Sequence, residues 1–121
     1  MFDIDNFKLI NDNYGHNFGD QVLIQISKNI KNILNKSDKL FRYGGEEFII
    51  LSQNKDKEYT INLAELTRKS IEDMKWNKDI IVTISIGVCY DKEDNIDLLK
   101  VADENLYISK ATGKNKVTIN K

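Results

Sequence analysis

Apolar positions recur along the chain with two different periods, and the changes of period divide it into helices and strands. From Asp20 onward Val22, Leu23, Ile26, Ile30, Ile33 and Leu34 follow one another at helical spacing. This predicts an amphipathic helix capped by Gly19-Asp20 and ending near Asn35 to Asp38. Two short β-rich runs follow, Lys39 to Tyr43 and Glu47 to Ser52, joined by Gly44-Gly45, so that Phe41 to Leu51 reads as a β-hairpin. A polar segment, Gln53 to Glu58, leads into a second helix over Tyr59 to Lys75 with Leu63, Leu66, Ser70 and Met74 on one face. From Ile80 to Tyr90, Val82, Ile84, Ile86 and Val88 alternate with Thr83, Ser85, Gly87 and Cys89, which predicts a central strand buried on at least one face. A third helix is expected from about Ile96 to Ala111, with Leu99, Ala102 and Leu106 on its stripe, closing at Gly113 ahead of a last strand, Lys116 to Asn120.

At the start, Met1 to Asp5 reads as the C-terminal end of a strand, with Asp5 placed to cap a short helix beginning at Asn6 to Lys8. Helices and strands alternate, so the expected fold is α/β or α+β around one mixed or antiparallel sheet. Met1 to Ile4 is short for a first strand, and the expectation is that the natural domain begins upstream and the chain is a fragment.

The 121 residues suit one domain, and 40% hydrophobic content suffices for a core without disulfides. Lys and Arg total 18 against 19 Asp and Glu, a net charge of −1 that excludes the broad basic field of a general DNA, RNA or anionic-membrane binder. Trp76 and the tyrosines form no stripe interleaved with basic residues, so base stacking along a strand of nucleic acid is not expected either. A small anion held locally stays compatible with this composition. Cys89 is the single cysteine, so neither an internal disulfide nor a cysteine-zinc site can form, which suits the reducing cytoplasm. The longest apolar runs are far too short to span a bilayer, and no direct membrane contact is expected, although a larger membrane-anchored parent would suit the chain equally.

Chemistry concentrates in acidic residues near glycines. Asp3 and Asp5 flank Ile4, while Glu46 and Glu47 follow Gly44-Gly45 at the hairpin, so carboxylates from separate elements can converge at one sheet edge. Converging carboxylates call for a cation, and their hard oxygens suit Mg²⁺, which keeps coordination positions for water and phosphate. Gly44 and Gly45 let phosphate or base approach the backbone. An Asp cap beside a solvated turn explains the same spacing, and spacing alone favours it. His16, the single histidine, has no second nitrogen or sulfur ligand near it in sequence and reads as scaffold.

The wording of the motifs is more specific than their spacing. The string from Phe2-Asp3-Ile4-Asp5 through Phe7-Lys8, Asn11-Asp12, Tyr14-Gly15-His16 and Gly19-Asp20, followed by Arg42-Tyr43-Gly44-Gly45-Glu46-Glu47-Phe48, resembles the GGDEF family of diguanylate cyclases in its GGEEF form. Thr83 to Val88 resembles that family's late strand, and Ala102-Asp103, Leu106-Tyr107, Lys110 and Gly113-Lys114-Asn115 resemble its last helix and closing turn. The resemblance implies a nucleotidyl-cyclase or polymerase-palm-like mixed β-sheet flanked by helices, over residues 1–121, without the family's first helix and most of its first strand. It implies Mg²⁺-dependent condensation of two GTP into cyclic di-GMP and two pyrophosphates across a homodimer, with Mn²⁺ as an alternative ion and sensory or regulatory domains in a larger parent chain.

Position by position, the resemblance makes Asp3, the Ile4 carbonyl and Glu46 the metal ligands, with Asp3 and Glu46 catalytic and Glu46 also activating the 3′-hydroxyl. Asn11 and Asp20 match the guanine readers, Asp20 otherwise being a helix cap. Phe7 and Lys8 would meet the phosphates with backbone amides and a charge, Gly44 and Gly45 would line the substrate, and Lys110 and Lys114 would bind phosphate. Two replacements depart from the family: Asn35-Lys36-Ser37-Asp38 lacks the arginine of the usual inhibitory product site, so weak or absent product inhibition is expected, and Lys114 stands for a common arginine. The competing reading is a catalytically weak or inactive guanine-nucleotide-binding regulatory domain, which intact Asp3 and Glu46 disfavour.

Overall fold

The computed structural model describes residues 1–91 and 97–119. Its elements run β1 (Phe2–Ile4), α1 (Phe7–Tyr14), α2 (His16–Ile33), β2 (Asp38–Gly44), β3 (Glu47–Ser52), α3 (Lys57–Glu72), β4 (Ile84–Val88), α4 (Leu98–Ala111) and β5 (Val117–Ile119). Five strands form one sheet in the order β2-β3-β1-β4-β5. Among the described residues only β4 and β5 pair in parallel; the other neighbours are antiparallel, so the sheet is mixed, as expected. The expected ends of the third helix at Ile96 and of the last strand at Asn120 lie outside the described residues.

Alternation along β1 sorts the two faces of the sheet. Phe2 and Ile4 point into the main core with Phe48, Ile84 and Ile86, against Val22, Ile26 and Ile30 of α2 and Ile71 of α3. Phe2 and Phe48 stack with ring centroids 5.0 Å apart across the β1–β3 pair. The opposite face carries Asp3, Ser85 and Gly87 and is covered by α4, whose Lys110 reaches Asp3 and whose Ser109 hydroxyl donates to the Ile86 carbonyl at 2.8 Å. The central β1 thus lies between an apolar layer and a layer that brings charge to its acidic side chains.

Close approach of α4 depends on Gly87. A Cβ there would fall 2.1 Å from the Ala102 carbonyl oxygen and 2.2 Å from the Leu106 nitrogen, both backbone atoms that cannot rotate away. Gly87→Ala should therefore cost ~3 kcal/mol or more. Thermal denaturation is expected to show a Tm lower by about 10 °C, and a Tm close to wild type would mean that α4 rides freely on the sheet.

Several local expectations are corrected. Helix α2 begins at His16 after Gly15, so Gly19 and Asp20 lie within its opening turns and not at its cap. The capping pattern of Gly-Asp misled because Phe18 is buried, extending the apolar stripe backwards by a turn. The buried face of α3 is Ala64, Thr67 and Ile71, while Leu66 is 55% exposed. Its small residues pack where the larger ones were expected. On α4, Leu99 is 41% exposed, and the buried stripe consists of Ala102, Asn105, Leu106 and Ser109. Asn105 and Ser109 are buried there because they donate to the Val88 and Ile86 carbonyls. Strand β4 is shorter than the alternation implied, and the hairpin turns at Gly45-Glu46, since Gly44 already pairs with Glu47. Gly45 takes φ +52°, the left-handed geometry that a tight turn requires of a glycine.

Candidate active site

The β2–β3 turn lies beside the end of β1. Asp3 is opposite Glu47 in register, and the Ile4 amide donates to the Glu46 carbonyl at 3.3 Å, so Glu46 stands next to the strand that carries Asp3. The turn is braced by Arg42, whose Nε and guanidinium NH₂ donate to the Gly45 carbonyl at 2.9 and 2.7 Å. A Cβ added to Gly44 or Gly45 would meet nothing within 4 Å, so the outer side of the turn is open.

Asp3 is 4% exposed and accepts from the Lys110 ammonium at one carboxylate oxygen. Burial pushes its carboxyl above the usual carboxylate range; Lys110 pulls it down, and the charges of Glu46 and Glu47 push with the burial. The carboxylate is held where its ionised form costs free energy, a condition that a bound cation relieves. Among the described residues no three His, Cys, Asp or Glu side chains gather into a cage. Two carboxylates and a backbone carbonyl suit Mg²⁺, which draws its remaining oxygens from water and phosphate. Asp3, the Ile4 carbonyl and Glu46 therefore fit such an ion.

Asn11 and Asp20 come from adjoining helices. Gly19 makes that approach possible, because a Cβ at residue 19 would fall 1.8 Å from the Asn11 amide oxygen and 3.4 Å from the Phe7 ring. This seats α2 against the Asn11 side chain and leaves Asp20, the next residue, exposed. Phe7 packs on the core from the first turn of α1, whereas Lys8 is exposed. Lys114 lies in the turn after α4, in left-handed backbone at φ +63°, and its ammonium donates to the Asn6 amide oxygen at 2.7 Å, at the start of α1. The Lys110–Asp3 and Lys114–Asn6 contacts thus tie the central strand β1, helix α4 with its following turn, and the start of α1 together.

Asp5 is a correction. It caps nothing: Asn6, at φ +57°, precedes α1 with no side-chain cap. Asp5 is instead 5% exposed and accepts from Ser85 Oγ at 2.6 Å, Thr83 Oγ1 at 2.7 Å and the Asn115 amide at 3.0 Å. The hydroxyls of Thr83 and Ser85, apparently ordinary polar positions of an alternating strand, were the sequence signal for a buried acceptor. Asn6 and Asn115 are of a residue type enriched, among non-glycine residues, in left-handed backbone.

Asp38 is likewise engaged. Burial raises its pKa, but hydrogen bonds from Ser52 Oγ at 2.7 Å, Tyr59 OH at 2.7 Å and the Asn35 amide at 3.1 Å outweigh that and hold it below the usual range. A cavity of about 520 Å³ is lined by Trp76, Lys78 and Ile81, away from Asp3, and one of about 240 Å³ runs beside α1 from Asp5 and Asn6 to Leu9 and Tyr14. Neither is lined by Asp3 or Glu46, so the claim of that site rests on chemistry.

The family model for the GGDEF domain of diguanylate cyclases matches residues 1–116. Diguanylate cyclase A of Treponema denticola is 46% identical over 127 aligned residues, covering 100% of this chain and 34% of the relative. The chain thus spans about a third of that protein. The structure of the active GGEEF domain of a diguanylate cyclase from Vibrio cholerae superposes with a TM-score of 0.92 at 33% identity, covering 99% of this chain and 80% of the other. The GGDEF domain of DgcB from Caulobacter crescentus, solved with c-di-GMP, gives a TM-score of 0.91 at 29% identity, over 98% of this chain and 74% of that one. No helix among the described residues is long and apolar enough to cross a membrane.

Proposed function

Because the chain belongs to the GGDEF family of diguanylate cyclases, we propose that it condenses two GTP into cyclic di-GMP and two pyrophosphates, each GTP being held by one copy of a homodimer. The observation that carries this reading is the buried Asp3 carboxylate beside Glu46, where burial disfavours its charged form.

Mg²⁺, held by Asp3, Glu46 and the Ile4 carbonyl, would supply charge for the phosphates and polarise the reacting oxygens. The chain's own residues do the remaining work. Asn11 and Asp20 read guanine, the Asp20 carboxylate accepting from N1–H and the 2-amino group, which adenine does not present. The start of α1 at Phe7 and Lys8, with Lys114 across from it, meets the triphosphate, and Lys110 moves between Asp3 and phosphate. Gly44 and Gly45 leave the turn open to substrate. Glu46 takes the proton of a 3′-hydroxyl; that oxygen bonds to the α-phosphorus of the facing GTP, and pyrophosphate leaves. The same step in the opposite sense closes the ring. Most of the acceleration comes from positioning and charge neutralisation.

The test is to incubate the purified protein with GTP and Mg²⁺ and follow nucleotides by chromatography with mass detection. Cyclic di-GMP is expected, whereas bound but unconverted GTP would favour a regulatory binder. Product inhibition through the segment before the hairpin should be weak: Asn35 cannot supply a guanidinium fork, and the Asp38 oxygens are already committed to Ser52, Tyr59 and Asn35. Calorimetry should show cyclic di-GMP binding weakly there; tight binding abolished by Asp38→Ala would refute this.

A further inference from the structure

The turn that carries Lys114 is strained and is tied down from beneath. Lys114 and Asn115 occupy consecutive left-handed positions, at φ +63° and +46°, and Asn6 opposite them lies at +57°. Non-glycine residues in this region cost of order 1 kcal/mol each and persist where the surroundings over-determine them. The determining contact here is with Asp5. Its buried Oδ2 accepts the Asn115 amide at 3.0 Å, while Thr83 and Ser85 of the β4 segment hold the carboxylate in place. The Asn115 side chain is gripped on its far side by α3, accepting from Arg68 at 3.0 Å and donating to Glu72. With its neighbour fixed on both sides, Lys114 extends to Asn6 at 2.7 Å.

Resting on the cyclase reading above, we infer that Asp5 is a positioning residue for substrate binding, its carboxylate holding the Lys114–Asn115 turn in left-handed backbone so that the Lys114 ammonium faces the triphosphate at the start of α1. Asp5 does not touch the nucleotide; it acts through the Asn115 amide. Its effect should therefore vanish when the Lys114 ammonium is removed, which a merely structural role would not do.

The experiment is a double-mutant cycle of Asp5→Ala and Lys114→Ala, reading KM for GTP and kcat by pyrophosphate release. Asp5→Ala should raise KM about tenfold, and the double variant should be no worse than Lys114→Ala alone. Multiplicative losses, or a fall in kcat at unchanged KM, would overturn the inference. Should Asp5→Ala fail to fold, position 115 gives an independent reading. Asn115→Ala and Asn115→Gly lose the same side-chain contacts, but only Ala pays for left-handed backbone. Gly should show a KM several-fold lower than Ala, and equal values would overturn the inference. A wild type that makes no cyclic di-GMP would instead sink the functional reading itself.

Discussion

Glu46→Gln should reduce cyclic di-GMP formation roughly 1,000-fold while leaving the protein folded. Gln has the same size, but it cannot accept the 3′-hydroxyl proton and offers a metal no negative charge. The turn does not depend on the carboxylate, because residue 46 serves it through the backbone carbonyl that accepts from Ile4, and Arg42 braces the neighbouring Gly45 carbonyl. Melting within about 2 °C of wild type is expected, because the half-buried Glu46 side chain is replaced by one of the same size. Chromatographic measurement of product beside a thermal melt decides the matter. Activity within tenfold of wild type would remove Glu46 from the catalytic role and transfer the proton to another acceptor.

Asp3→Asn should abolish turnover to a similar degree and yet leave the metal-free protein at least as stable as wild type at neutral pH. The sign follows from linkage. Burial raises the folded-state pKa of Asp3 above its unfolded value, so in the intervening pH window the folded state binds more protons. Stability contributed by this group is thus lost as pH rises through that window, and above it the ionised carboxylate is a net cost. Asn removes the charge and the cost together, although it forfeits the ion pair with Lys110. Titration with Mg²⁺ and GTP should raise the wild-type Tm and leave that of Asp3→Asn nearly unchanged, because only the wild type offers the second carboxylate. A variant several degrees less stable in the absence of metal would show that the Asp3–Lys110 pair serves folding first, and a ligand-induced shift of equal size in both proteins would remove Asp3 from the metal site. Active-site groups whose removal stabilises a protein are a recurrent consequence of building charge into a partly dry site.

The order of helices and strands, the hairpin and the acidic, glycine-flanked motifs were legible along the chain because each depends on neighbours a few residues away. Period sets the element, β-branched residues favour the strand from Ile84, and a glycine pair marks the turn. The errors lie where a distant partner decides. Leu66 and Leu99 belong by spacing to their helices' apolar faces, yet small residues on α3 and hydrogen-bonded Asn105 and Ser109 on α4 pack more closely against the sheet. Asp5 shows the same limit most clearly. A carboxylate just before a helix has a local use as a cap, but Thr83, Ser85 and Asn115, some eighty and more residues away, offer three donors in a buried setting, and an acceptor that satisfies them stabilises more than one that caps an exposed turn. The chain by itself determined which residue types were available for the chemistry, since motif wording is local. Which carboxylate faces Lys110 and which is spent holding the closing turn was decided by the pairing of β1 with β4 and the seating of α4 on Gly87, because long-range packing alone selects among partners that a short stretch of sequence leaves open.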